Sequence, residues 1–186
     1  MMNLKFYNGV TSLTGFYIDK IYKPSVILPE NIDLEKNYLF AGNHVYWADP
    51  ALVVYALDQL PIHFMAKKEL FENFLLRYFV ENMGAFPIDR GNNDLKAVKT
   101  TIKYLKDGYN VGIFPEGTRN KTLGEFKNGI PRIATMAKKE VIPFGISGEY
   151  KHNGNLTIKF GQPIDFKDIN KNKQDEYLKE KIKELI

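Results

Sequence analysis

The sequence contains no cysteine, which excludes a disulfide framework, a thiol nucleophile and zinc sites built on thiolates. Histidine is scarce. His44, His63 and His152 are the full set and are scattered, so no metal site is expected. Long apolar runs are also missing. The longest, Ala51 to Leu57, falls far short of the ~20 residues a helix needs to span a bilayer. Asn8, Thr11, Ser12 and Thr14 interrupt any early apolar run, so no signal peptide is read. The expectation is an intracellular protein, soluble or bound to a surface. Arginine accounts for only four of 26 basic residues: Arg77, Arg90, Arg119 and Arg132. Arginine's planar fork suits phosphate and carboxylate, so each of the four matters.

What is present points to a globular enzyme-sized domain. A chain of 186 residues with 44% hydrophobic and 13% aromatic content can build one core and is too apolar to be a disordered tail. The net charge of +4 favours anionic partners in general. Aromatic residues fall on core-facing positions and no nucleic-acid-binding motif appears, so nucleic acid is not expected as a partner.

Strand-like and helical segments alternate. Residues 3–23 carry Phe6, Val10, Leu13, Tyr17 and Ile21 at helical spacing. That helix either packs on the core or docks on a membrane, and the pattern leaves both open. Tyr38 to Ala41 reads as a buried strand running into Gly42-Asn43-His44. Asp49-Pro50 opens a helix through Leu60, with Asp49 as N-cap. Ile62 to Ala66 is a strand, and Lys68 to Met83 a helix with a strongly apolar face, stopping at Gly84. Phe86 to Ile88 is extended; Leu95 to Leu105 is a helix closed by Gly108. Val111 to Phe114 is a strand, Arg132 to Lys139 a short helix, and Val141 to Ser147 and Leu156 to Phe160 the last strands. Leu178, Ile182 and Leu185 mark a C-terminal amphipathic helix.

This alternation predicts an α/β fold, a single domain with a mixed, mostly parallel sheet flanked by helices. The expected organisation is one domain over 1–186: an N-terminal helical or membrane-docking segment at 1–36, a core at 38–148 and a C-terminal helix at 170–186.

Three segments offer chemistry. His44 ends a buried strand, where ligands collect in α/β sheets, and Asp49 follows five residues later. A tight turn would return that carboxylate to the imidazole, fixing its tautomer and leaving the other nitrogen as a general base. The competing reading is a helix cap beside a loop histidine. Phe114-Pro115-Glu116-Gly117-Thr118-Arg119 also follows a strand: Gly117 permits a turn, Arg119 supplies an anion fork, and a buried Glu116 is a possible partner for it. The competing reading is a structural salt bridge. Phe86-Pro87-Ile88-Asp89-Arg90-Gly91 places another arginine after an extended segment, so Arg90 and Arg119 are compatible with one shared phosphate. Arg77 and Arg132 sit inside helices and read as surface residues.

Asn43-His44 with Asp49, Phe86 to Arg90, Phe114 to Arg119, and Val141-Ile142-Pro143 together resemble the four ordered blocks of the glycerolipid acyltransferases, in particular the 1-acyl-sn-glycerol-3-phosphate acyltransferases. The likeness covers roughly residues 38–148 and adds Lys67, within Ala66 to Leu70, as a match to the family's basic segment. It implies acyl transfer from a thioester, acyl-CoA or acyl-carrier protein, to the sn-2 hydroxyl of lysophosphatidic acid. Acceptors such as glycerol-3-phosphate or another lysolipid belong to the same class, and a non-catalytic lipid- or phosphate-binding protein would be a different one. By the resemblance, His44 deprotonates the acceptor and Asp49 orients the imidazole. Arg90 and Arg119, with Lys67, hold the phosphate. Glu116 and Gly117 shape that site, and Thr118 adds a hydroxyl. No cofactor beyond the acyl donor and no metal is implied. The lipid acceptor implies peripheral docking on the cytoplasmic face of a membrane, through residues 3–23, the apolar helix 70–83 and surface lysines. Pro131 departs from the family's pattern by standing where relatives continue a helix, although it suits a helix start.

Overall fold

The central strands are nearly continuous apolar runs whose successive side chains point to opposite faces, so both faces of the sheet demand cover. The computed structural model describes residues 2–30, 32–89, 94–117, 126 and 129–186. Among these, seven strands form one sheet: β1 Ser25–Ile27, β2 Leu39–Gly42, β3 Ile62–Lys67, β4 Phe86–Ile88, β5 Asn110–Ile113, β6 Val141–Ser147 and β7 Thr157–Phe160. Their spatial order is β1-β7-β6-β2-β5-β3-β4, parallel throughout except where β7 runs antiparallel to β6. The helices are α1 Leu4–Ile21, α2 Asp49–Ala56, α3 Phe74–Asn82, α4 Leu95–Lys106, α5 Ile130–Ala137 and α6 Gln174–Lys183.

The alternation sorts the core into two layers. Phe40, Ile142 and Phe144 pack with Tyr7 and Ile18 of α1 and Leu52 and Val53 of α2. Leu39, Ala41 and Val111 face the other way, onto Ile102 and Leu105 of α4, Ile133 of α5 and Ile182 of α6. The result is the expected single α/β domain with a mostly parallel sheet flanked by helices. The connections leaving the neighbouring strands β2 and β5 therefore pass over opposite faces, α2 on one and α5 on the other. In α/β proteins, ligands bind outside the strands' carboxyl ends at the place where connections diverge in this way.

Three expectations change. The three-residue edge strand β1 was not anticipated. The helix expected over 49–60 ends at Ala56, because Asp58 and Gln59 take left-handed backbone angles, φ 51° and 64°. Gln59 then receives the hydroxyls of Thr11 and Ser12, tying the turn to α1. The helix expected over 68–83 divides into a 3-10 turn, Lys68–Phe71, and α3. Asn73 separates them by accepting the backbone N–H groups of Leu75 and Leu76, which starts a new helix. Its apolar face is only partly covered: Phe6 of α1 packs edge-on against Tyr78 and Phe79, and no residue of α3 is fully buried. Pro131 does occupy the first turn of α5. No described helix is long and apolar enough to cross a membrane.

Candidate active site

The site begins where β2 stops pairing. Asn43 continues the contact with β6 through its side chain, donating to the Ile146 carbonyl at 2.8 Å and accepting from the Ile146 N–H at 2.7 Å. This clamp consumes the amide and leaves the main chain free to turn at His44. The turn closes on Asp49. Its Oδ2 accepts the Val45 N–H at 2.7 Å, the Tyr46 N–H at 2.9 Å and the His44 Nδ1–H at 2.7 Å. Asp49 is thus not the expected N-cap. It is the first helical residue, Ala48 precedes it without a side-chain cap, and its carboxylate faces back into the turn instead of onto α2.

The network fixes the histidine tautomer. A carboxylate is acceptor-only, so Nδ1 must carry the hydrogen in its 2.7 Å bond, and in the neutral ring Nε2 is then a bare lone pair. The ring's orientation is set by stacking on Phe114, with centroids 4.3 Å apart and planes at 22°. Phe114 is itself held by Phe64 and Phe144. Asp49 is fully buried and His44 nearly so, which removes competing water from their bond.

Glu116 lies at the adjacent strand end, after β5. Its buried carboxylate accepts the His44 backbone N–H at 3.2 Å, linking the second motif to the first. Gly117 follows with φ +65°, a left-handed conformation that an L side chain rarely adopts, and its N–H bonds to the Phe114 carbonyl at 3.0 Å. Lys67 is exposed at the carboxyl end of β3, next to β5, in register with Ile88 of β4. Arg90, Thr118 and Arg119 lie outside the described residues. The structure therefore brings His44 into contact with both Asp49 and Glu116, and sets Lys67 and Gly117 at the same edge of the sheet. Arg77, exposed on α3, pairs with Glu81, and Arg132 is exposed on α5, so both are surface residues as expected. No three His, Asp or Glu side chains among the described residues are grouped as metal ligands would be.

Two residues with contacts in this site received no role from the sequence. Phe114 was visible inside its motif, but its stacking on His44 depends on strand order. Tyr150 lies beyond the motif-bearing segment and carried no signal; its hydroxyl donates to Asp49 Oδ1 at 2.6 Å. Burial first, and then the Asp49 carboxylate, push the Tyr150 phenol well above its ordinary value, so it remains a neutral donor.

The chain is thus an α/β protein with a locked histidine–carboxylate pair at the carboxyl edge of a mostly parallel sheet, beside a glycine turn. Residues 23–147 match the model of the Acyltransferase family, and the chain belongs to that family. It is 36% identical over 140 residues to the 1-acyl-sn-glycerol-3-phosphate acyltransferase of Bacillus subtilis, covering 73% of this chain and 70% of that protein. Its identity to the enzyme of the same name from Streptococcus pneumoniae is also 36%, over 143 residues, covering 74% of this chain and about half (53%) of that one. The crystal structure of the 1-acyl-sn-glycerophosphate (LPA) acyltransferase PlsC from Thermotoga maritima matches with a TM-score of 0.70 over 96% of this chain and 87% of that chain. At 22% identity, that likeness shows the shared fold.

Proposed function

We propose that the protein transfers a fatty acyl group from a thioester to the sn-2 hydroxyl of lysophosphatidic acid, producing phosphatidic acid. The observation that carries this reading is the 2.7 Å bond between His44 Nδ1 and Asp49, which leaves Nε2 as the base. In this mechanism Nε2 takes the hydroxyl proton as the acceptor oxygen attacks the thioester carbonyl. The new C–O bond forms, the C–S bond breaks, and the imidazolium returns the proton to the departing thiolate. The products are an ester and a free thiol, and the histidine is regenerated neutral. Asp49 stabilises the transient imidazolium, as a buried carboxylate does beside a charged ring. Direct attack needs no acyl-enzyme, in keeping with a chain that has no cysteine. Arg90, Arg119 and Lys67 hold the acceptor phosphate, with Thr118 adding a hydroxyl and Glu116 and Gly117 shaping the loop, so that one hydroxyl meets the base. Acyl-CoA or acyl-carrier protein is the donor.

The acceptor is a lipid, and exposed apolar side chains support peripheral docking on the cytoplasmic face of a membrane. Phe74 and Leu75 at the start of α3 are 79% and 75% exposed, and Trp47, in the loop after β2, is 65% exposed. Both segments follow carboxyl ends of strands, at the edge that carries His44. Leu13 and Phe16 are also exposed, on α1, with Lys20 over the Phe16 ring.

An acceptor panel tests the reading. Lysophosphatidic acid, glycerol-3-phosphate and lysophosphatidylcholine would each be paired with acyl-CoA and with acyl-carrier protein, following thiol release and lipid product. Phosphatidic acid formed selectively from lysophosphatidic acid is expected. Turnover with glycerol-3-phosphate alone, or none with any acceptor, would overturn it.

A further inference from the structure

We propose that Tyr150 is a positioning residue of the acyl-transfer site, acting through Asp49. The inference rests on the reading of His44 and Asp49 as the base and its partner. It starts from an asymmetry in the Asp49 carboxylate. Oδ2 receives three donors: the His44 ring, the Val45 N–H and the Tyr46 N–H. Oδ1 receives the Tyr150 hydroxyl at 2.6 Å, across a separation of 101 residues. Asp49 is fully buried, so water cannot replace that bond without a rearrangement, and an unmet carboxylate oxygen is costly there. The hydroxyl therefore opposes rotation of the carboxylate, which would otherwise exchange its oxygens and release the imidazole. It also draws charge toward Oδ1, tuning how strongly Oδ2 holds the Nδ1 proton.

The surrounding chain is built to deliver this hydroxyl. The β6 strand is parallel to β2 and ends at the same edge. Gly148 then turns with φ +83°, at a place where a Cβ would lie 2.3 Å from the Asn155 carbonyl oxygen. The reversal is closed by the Glu149 N–H to the Gly154 carbonyl at 2.9 Å and the Gly154 N–H to the Lys151 carbonyl at 3.0 Å. Tyr150 projects inward from this loop, its ring between Tyr46, with centroids 4.6 Å apart, and Tyr22, edge-on at 5.4 Å. These contacts fix the ring without using the hydroxyl. A purely packing role would leave the hydroxyl dispensable.

The test is Tyr150→Phe, which keeps the ring contacts and removes one oxygen. The expected result is a kcat lower by about tenfold with KM for donor and acceptor changed less than twofold. The proton resonance of His44 Nδ1 should move downfield, because Oδ2 becomes the stronger acceptor. In an Asp49→Asn background, where the amide still meets the hydroxyl but carries no charge for it to tune, the same change should lower kcat less than it does in the wild type. Incorporating 3-fluorotyrosine at 150 retains the hydroxyl as a stronger donor and should move the Nδ1 resonance the opposite way; this arm decides the matter if Tyr150→Phe does not fold. A wild-type kcat and an unmoved resonance in Tyr150→Phe, or an equal loss of kcat with and without the Asp49 carboxylate, would overturn the proposal. A fully active His44→Ala would instead overturn the catalytic reading beneath it.

Discussion

Replacing Asp49 by Asn separates the charge of the buried carboxylate from its geometry. An asparagine oxygen at the Oδ2 position still accepts from Val45, Tyr46 and the His44 ring, and its amide can donate to a Tyr150 hydroxyl that now accepts. The fold should tolerate the change within about 1.5 kcal/mol, the scale of one rearranged hydrogen bond. The negative charge beside the imidazolium is lost. At 2.7 Å and an effective dielectric of 20, opposite unit charges attract by about 6 kcal/mol. The neutral hydrogen bond and the smaller desolvation cost of an amide recover part of that. If about half is lost at the transition state, ~3 kcal/mol corresponds to a roughly 10²-fold fall in kcat. Asp49→Ala behaves differently. It strands four donors around a buried void, and at ~1–3 kcal/mol for each it should destabilise the fold by about 4 kcal/mol or more. The assay is thiol release under saturating lysophosphatidic acid and acyl-CoA, with urea unfolding of both variants alongside. Wild-type kcat in a folded Asp49→Asn protein would refute the electrostatic role. So would an alanine variant as stable as the asparagine one.

Two further outcomes follow from features away from the chemistry. His63 is buried against Tyr104 and Tyr109, with Nδ1 bonded to the Gly84 carbonyl at 2.7 Å; burial holds its imidazole below the ordinary 6.5, and the Gly84 carbonyl opposes that shift. The unfolded chain therefore takes up the proton first: this contribution to stability is full above pH 6.5 and is lost as pH falls toward the lower native value, by at most about 1.4 kcal/mol per pH unit. Urea unfolding of wild type and His63→Gln across that window should show a shallower acid dependence in the variant, and identical slopes would contradict the assignment. On α3, the double change Phe74→Ser and Leu75→Ser should leave stability within about 0.5 kcal/mol, since both side chains are exposed. It should weaken co-sedimentation with anionic phospholipid vesicles several-fold; unaltered vesicle binding would remove this helix from the docking surface.

The sequence read well where local pattern and tertiary demand coincide. The short apolar runs of β2, β5 and β6 form the sheet's centre, and Gly84 and Gly108 stop helices with positive φ. It read less well where the outcome depends on what lies opposite. The apolar period of residues 70–79 marks a helix face but does not say how much of it is covered, and on α3 only Phe6 packs against its Tyr78 and Phe79 while Phe74 and Leu75 stay exposed. Asp49 has the spacing of a cap, and only the turn at Val45 and Tyr46 reveals that its carboxylate serves the loop and the histidine. The meeting of His44 with Glu116 and Phe114 requires β2 and β5 to be neighbours, a fact of topology. Tyr150 was illegible because a single aromatic residue between Glu149 and Lys151 has no periodic partner. Its role comes from the antiparallel turn between β6 and β7.

The central claim is that the His44 ring is the base for acyl transfer. Its most direct test is the rate of thiol release by His44→Ala, with lysophosphatidic acid and acyl-CoA both saturating. A folded variant slowed by about 10²–10⁴-fold is predicted, as for loss of a general base; turnover equal to that of the unmodified protein would contradict the account.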